Sequence, residues 1–136
     1  MENAALSTLR TNVLSYWPDA HWQRIENHYT PGTPDANVCI PGVGEFWVEG
    51  KFFKKWSNNP EAIIKIELRR EQAMWLASRQ RAGGNVLIAL RMGTSEWLFF
   101  NSGFLRLVEG MTKAEMLELA YWHSISLKDL EQIFTS

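Results

Sequence analysis

Apolar positions in the first sixteen residues recur at helical spacing. Leu6, Leu9, Val13 and Leu14 predict a helix over residues 2–16, which Pro18 stops. The period then changes. Residues 21–28 alternate loosely and read as a strand, and the stretch from Tyr29 to Pro34, with two prolines and a glycine, reads as a loop. Residues 35–40 and 45–51 predict two further strands, whose successive side chains point to opposite faces. Ala36, Val38 and Ile40 share one face, and Asp35, Asn37 and Cys39 share the other. In the next strand Phe46 and Val48 are turned away from Glu45, Trp47, Glu49 and Lys51. Matching the apolar faces places Asp35 on the side of Glu49 and Lys51, opposite one of them. That register needs an odd-length loop or a bulge between Ile40 and Glu45. A three-residue hairpin loop with glycine in the left-handed conformation supplies it, and Gly42 and Gly44 are in place.

Farther along, Phe52-Phe53-Lys54-Lys55-Trp56 and Asn58-Asn59-Pro60 predict a loop, followed by a short strand over 62–66. Residues 68–82 predict a helix with Leu68, Trp75, Leu76 and Arg79 on a broad face and Gly83-Gly84 at its end. Gln72 lies one turn before Leu76 and reaches the same sheet face. The nearly continuous apolar run 85–91 reads as a strand buried on both faces, and 96–100 as an edge strand. Thr112 with Glu115 forms a capping box for a helix running to about Tyr121, and Ser126 with Asp129 caps a last short helix.

Composition narrows the class. With 136 residues and 46% hydrophobic content, the chain suits one domain over 1–136 with a substantial core. Cys39 is the only cysteine, so an internal disulfide is excluded and a cytoplasmic setting is expected. No signal peptide or apolar run of membrane-spanning length is seen, so no membrane partner is expected. The net charge of −1 argues against indiscriminate coating of DNA. Its distribution is uneven: residues 51–91 hold nine Lys or Arg against three Glu, a local excess of +6. Within that segment Lys54, Lys55, Arg69 and Arg70 are candidate phosphate contacts, with Phe53 or Trp56 for base stacking. Arg79 and Arg81 read as a solvated helix face. His21, His28 and His123 lack metal-ligand spacing and read as structural or surface residues.

The chemistry suggested by the paired strands is metal-assisted cleavage of a phosphodiester. Glu49 and Lys51 stand roughly 6.5–7 Å apart along one face, and Asp35 lies roughly 5 Å from its opposite number. Two carboxylates at that range can share a hard divalent cation. A neighbouring lysine can orient the attacking water, deprotonate it when present as the neutral amine, or as an ammonium neutralise charge on the phosphate. Gly50 has no side chain, which leaves its carbonyl approachable by a metal.

The order of these segments resembles the PD-(D/E)XK nuclease superfamily, and within it the virus-type replication-repair (VRR-NUC) nucleases of phages. The matching residues are Arg24-Ile25-Glu26-Asn27, Gly32-Thr33-Pro34-Asp35, Trp47-Val48-Glu49-Gly50-Lys51, Gln72-Ala73-Met74-Trp75-Leu76 and Ala82-Gly83-Gly84-Asn85, spread over roughly residues 2–100. The resemblance implies an α/β, restriction-endonuclease-like αβββαβ core: a mixed central sheet flanked by helices, with short C-terminal helices over about 110–136. It implies a Mg²⁺ or Mn²⁺ site and cleavage of branched, Holliday-junction-like duplex DNA by a homodimer, in a bacterial or phage-infected cell. It assigns Asp35 and Glu49 to the metal, Lys51 to the attacking water or scissile phosphate, and Gln72 to support beside Lys51. The family's first-helix carboxylate matches Glu2, with Glu26 as competitor. Gly50 departs from the pattern, where the middle residue of Glu-x-Lys is usually bulky and apolar. The alternatives are a non-catalytic DNA- or protein-binding module on the same fold, and a related RNA endonuclease.

Overall fold

A computed structural model describes residues 4–26 and 32–135. Helix α1 (Ala4–Tyr16) buries Leu6, Leu9 and Val13. Strands β1 (His21–Arg24), β2 (Ala36–Ile40) and β3 (Gly44–Phe53) follow, then helix α2 (Arg70–Arg81) and strand β4 (Asn85–Met92). This is the αβββαβ order implied by the resemblance. Strand β5 (Glu96–Phe100), helices α3 (Phe104–Glu109) and α4 (Lys113–Leu119), strand β6 (Trp122–Ser124) and helix α5 (Leu130–Thr135) complete the chain. The six strands form one sheet in sequence order. It is mixed: β3 and β4 are parallel, and every other neighbouring pair is antiparallel. A parallel step requires a crossover, which the segment carrying α2 provides.

The sheet separates two cores because side chains alternate. On β4, Leu87 and Ala89 join the cluster that contains α1 residues Leu6, Leu9 and Val13 and α5 residues Leu130, Ile133 and Phe134. Val86, Ile88 and Leu90 join the other cluster, with Leu76 of α2, Phe104 and Leu107 of α3 and Met116 of α4. Strand β4 is therefore buried on both faces, as its unbroken apolar run predicts. The C-terminal apolar residues are spent on these cores, which leaves Ile125 as the conspicuous exposed member of that segment.

The β2–β3 hairpin has the expected register. Ala36 pairs with Val48 and Ile40 with Gly44, across the three-residue loop Pro41-Gly42-Val43. Gly42 takes φ +75°, a left-handed value that favours glycine.

Several expectations are corrected. Strand β1 ends at Arg24, and Ile25 and Glu26 lie outside it, while the rest of the expected strand, residues 27 and 28, lies outside the described residues. The segment 62–66 is no strand: only Ile64 forms a bridge, to Met111. Strand β5 is not an edge, since β6 pairs along it. Helix α2 starts at Arg70, because Arg69 is still extended at ψ 153°. Thr112 does cap α4 in a reciprocal box with Glu115. No helix among the described residues is long and apolar enough to cross a membrane.

Candidate functional site

Continuing the hairpin register one step past Ala36 and Val48 sets Asp35 opposite Glu49, on the α2 side of the sheet. The backbone N–H of Asp35 donates to Glu49 Oε1 at 3.2 Å. Glu49 Oε2 receives two further groups: Gln72 Nε2 at 3.0 Å and the Lys51 ammonium at 3.2 Å. Lys51 Nζ also donates to the Glu67 carbonyl. Asp35, Glu49, Lys51 and Gln72, proposed from separate parts of the sequence, thus meet around one carboxylate.

Glu49 is only 1% exposed, although the polar pattern of its strand suggests a wet face. Helix α2 covers it. Burial pushes the Glu49 carboxyl up to about 7, reinforced by the charge of Asp35 and opposed by Lys51. Perturbation by desolvation plus specific charged neighbours is a mark of functional sites.

Local structure holds this cluster together. Gln72 sits in the first turn of α2, where its Oε1 accepts from the Arg69 N–H at 2.9 Å while its amide reaches Glu49. Gln72 is thereby locked in orientation, with the amide end facing the carboxylate. Gly32, at φ +91°, lies against the same helix start: a Cβ there would land on the Glu71 carbonyl and 3.1 Å from Gln72 N. A glycine three residues before Asp35 is what lets this chain segment approach α2.

Other predicted residues are placed as follows. Lys54 and Lys55, just after β3, and Arg69 and Arg70, at the start of α2, are all exposed. The two pairs flank the cluster in sequence. Gly50 lies between Glu49 and Lys51, beyond the last β2–β3 pair. Glu2 lies outside the described residues. Glu26 is exposed and pairs with Arg24 at 3.3 Å. Among the described residues no three His, Cys, Asp or Glu side chains come together as a metal-ligating group.

No family model matches the chain, and no curated protein does. Among solved structures it is similar to Hjc, a Holliday junction resolvase from the archaeal hyperthermophile Archaeoglobus fulgidus. The identity is 16% and the TM-score 0.46, over 82% of this chain and 97% of that one. A likeness of that strength says nothing about chemistry, which has to be read from the side chains.

Two features escaped sequence reasoning. Arg79, exposed as expected, also lies over the rings of Trp75 and Trp47, 4.7 and 5.3 Å from their centroids. Lys65 and Phe52 line a cleft of about 580 Å³ that starts at Lys51. Alternation within Ile64-Lys65-Ile66 is the signal that turns Lys65 outward.

Proposed function

We propose that this chain is a metal-dependent endodeoxyribonuclease of the PD-(D/E)XK type, acting on branched duplex DNA. The observation that carries the reading is the buried Glu49 carboxylate, contacted by Lys51, Gln72 and the Asp35 backbone, with a second carboxylate at its side.

The donor set fits a hard divalent cation. Two carboxylates face a single ammonium, and the raised pKa of Glu49 reports charge that its surroundings leave poorly compensated. Asp35 and Glu49 would hold Mg²⁺ or Mn²⁺, with the Gly50 carbonyl as a backbone candidate and waters or phosphate oxygens completing the shell. When bound, such an ion supplies Lewis-acid polarisation of the phosphate and a more acidic water.

The remaining work falls to this chain's own side chains. The Lys51 ammonium, anchored by Glu49 and the Glu67 carbonyl, stands where it can hold a phosphate oxygen or exchange a proton with the attacking water. Gln72 fixes the orientation of Glu49. Lys54, Lys55, Arg69 and Arg70 are exposed cations for the flanking phosphates. Glu2 remains the proposed additional acid. A two-fold dimer would present one site to each of two strands in a junction; light scattering with and without a four-way junction tests that assembly.

The function is tested by incubating the chain with labelled linear, flap and four-way DNA, and duplex RNA, in Mg²⁺ or Mn²⁺. Cleavage of the branched DNA is expected, abolished by EDTA. Binding without cleavage of any substrate would mark a non-catalytic module, and preferential RNA cleavage would mark an RNA endonuclease.

A further inference from the structure

Strand β3 extends to Phe53, but its last pair with β2 is at Val48. Residues 49–53 therefore have a sheet neighbour only on the β4 side. The segment around residues 63–67 is fixed nearby. Ile64 and Met111 exchange backbone hydrogen bonds of 2.7 and 2.9 Å, and a Cβ on Gly110 would come within 2.5 Å of Ile63 Cγ2. The 580 Å³ cleft lies here, lined by Lys51, Phe52, Phe53 and Lys65 among others. Phe53 and Lys65 also line a second cleft of about 350 Å³, whose wall includes Lys55, Trp56 and Ile63. The two adjoin and form one groove leading away from Lys51.

Its lining alternates cations with apolar surface. Lys51, already paired with Glu49, lines the groove together with the exposed Lys55 and Lys65, and Glu67 is the acidic residue in the lining. Phe52 is 46% exposed and Ile63 61%, so both offer uncovered apolar area. Trp56 is held in position: its Nε1 donates to Glu96 Oε1 at 2.9 Å, and the Lys113 ammonium lies 5.0 Å from its ring centroid. Repeating positive charge beside aromatic faces suits an unpaired strand, which offers both phosphates and open base faces. A duplex hides those faces in its stack and presents phosphates and base edges. Clefts of a few hundred cubic ångströms accommodate groups the size of a small ligand rather than a double helix.

We infer that this groove is a subsite for an unpaired DNA strand, with Phe52 as the stacking platform and Lys55 and Lys65 as phosphate contacts. The inference rests on the nuclease reading for its choice of DNA and for placing the strand next to Lys51.

The test is fluorescence anisotropy of a labelled oligo-dT decamer with the full chain in EDTA. The decamer should bind more tightly than a blunt duplex of equal length. Phe52→Ala should weaken decamer binding about 5- to 100-fold. Lys55→Ala with Lys65→Ala should reduce the log–log salt slope by about 1.4. All three side chains are exposed, so these substitutions leave the cores intact. The assignment is overturned by equal or tighter binding of the duplex, by decamer affinity indifferent to both variants, or by tighter binding of oligo-U. Because the assay contains no divalent cation and reads no cleavage, it separates the two ideas. An inactive chain that prefers the decamer defeats only the nuclease reading, and an active chain without that preference defeats only the groove.

Discussion

Replacing Glu49 by Gln should favour the variant over wild type increasingly as pH rises, and this pH-dependent difference should disappear on acidification. In the folded chain burial raises the Glu49 carboxyl from its ordinary 4.5 to about 7. Above pH 7 the fold carries an ionised, desolvated carboxylate that the unfolded chain exposes to water. Between about 4.5 and 7 the folded state takes up a proton that the unfolded state does not, so Glu49's contribution to stability improves as pH falls and is lost as pH rises through 7. A tenfold change in proton affinity is worth about 1.4 kcal/mol, which makes the full cost roughly 3 kcal/mol. Gln preserves the shape and an acceptor for Gln72 and removes the charge, while its Nε2 donor then faces the Asp35 N–H, a cost that does not vary with pH. The stability difference, variant minus wild type, should therefore be roughly 3 kcal/mol greater at pH 8 than near pH 4.5, or about 10 °C in Tm for a chain of this size. Urea titrations of both proteins at several pH values in EDTA give the difference directly, with all uncoupled groups cancelling. A difference that stays constant with pH would refute the reasoning.

Three further outcomes follow from the same geometry. Gly32→Ala should destabilise the fold by about 1–3 kcal/mol, since it combines an unfavourable φ with a clash against the start of α2; thermal melts check this, and an unchanged Tm would contradict it. Asp35→Asn should lose Mn²⁺ uptake measured by calorimetry while retaining the wild-type circular dichroism spectrum, and undiminished uptake would remove Asp35 from the cation site. Lys54→Ala with Lys55→Ala should weaken junction binding and flatten its salt dependence by about 2 in log–log slope; an unaltered slope would place the phosphate contacts elsewhere.

The hairpin was readable because two independent constraints agree. The apolar faces of 36–40 and 45–51 match only in a register that requires an odd loop, and Gly42 permits one. Asp35, Glu49 and Lys51 follow from that register; helical spacing to Leu76 puts Gln72 only on the same sheet face, and its place beside Lys51 is what the family resemblance implies. The burial of Glu49 was not readable, because alternation assigns a face without saying what covers it; α2 does so from more than twenty residues away in sequence. Strand β6, only three residues long, and helix α3, only six, are too short to show a period. Segment 62–66 has the alternation of a strand, but its one bridge, from Ile64, goes to Met111 in a loop and joins no ladder, which alternation does not reveal. Arg79 illustrates the same limit: it is exposed as its helix position suggests, but its contact with Trp47, on a different element, is not visible in the helix alone.

Lys51 is the residue on which the nuclease reading depends most, since Asp35 and Glu49 alone would make the proposed cation site without a reaction. Single-turnover cleavage of a labelled four-way junction in Mn²⁺ should be abolished in Lys51→Ala while junction binding is mostly retained. Cleavage at the wild-type rate by that variant would contradict the assignment.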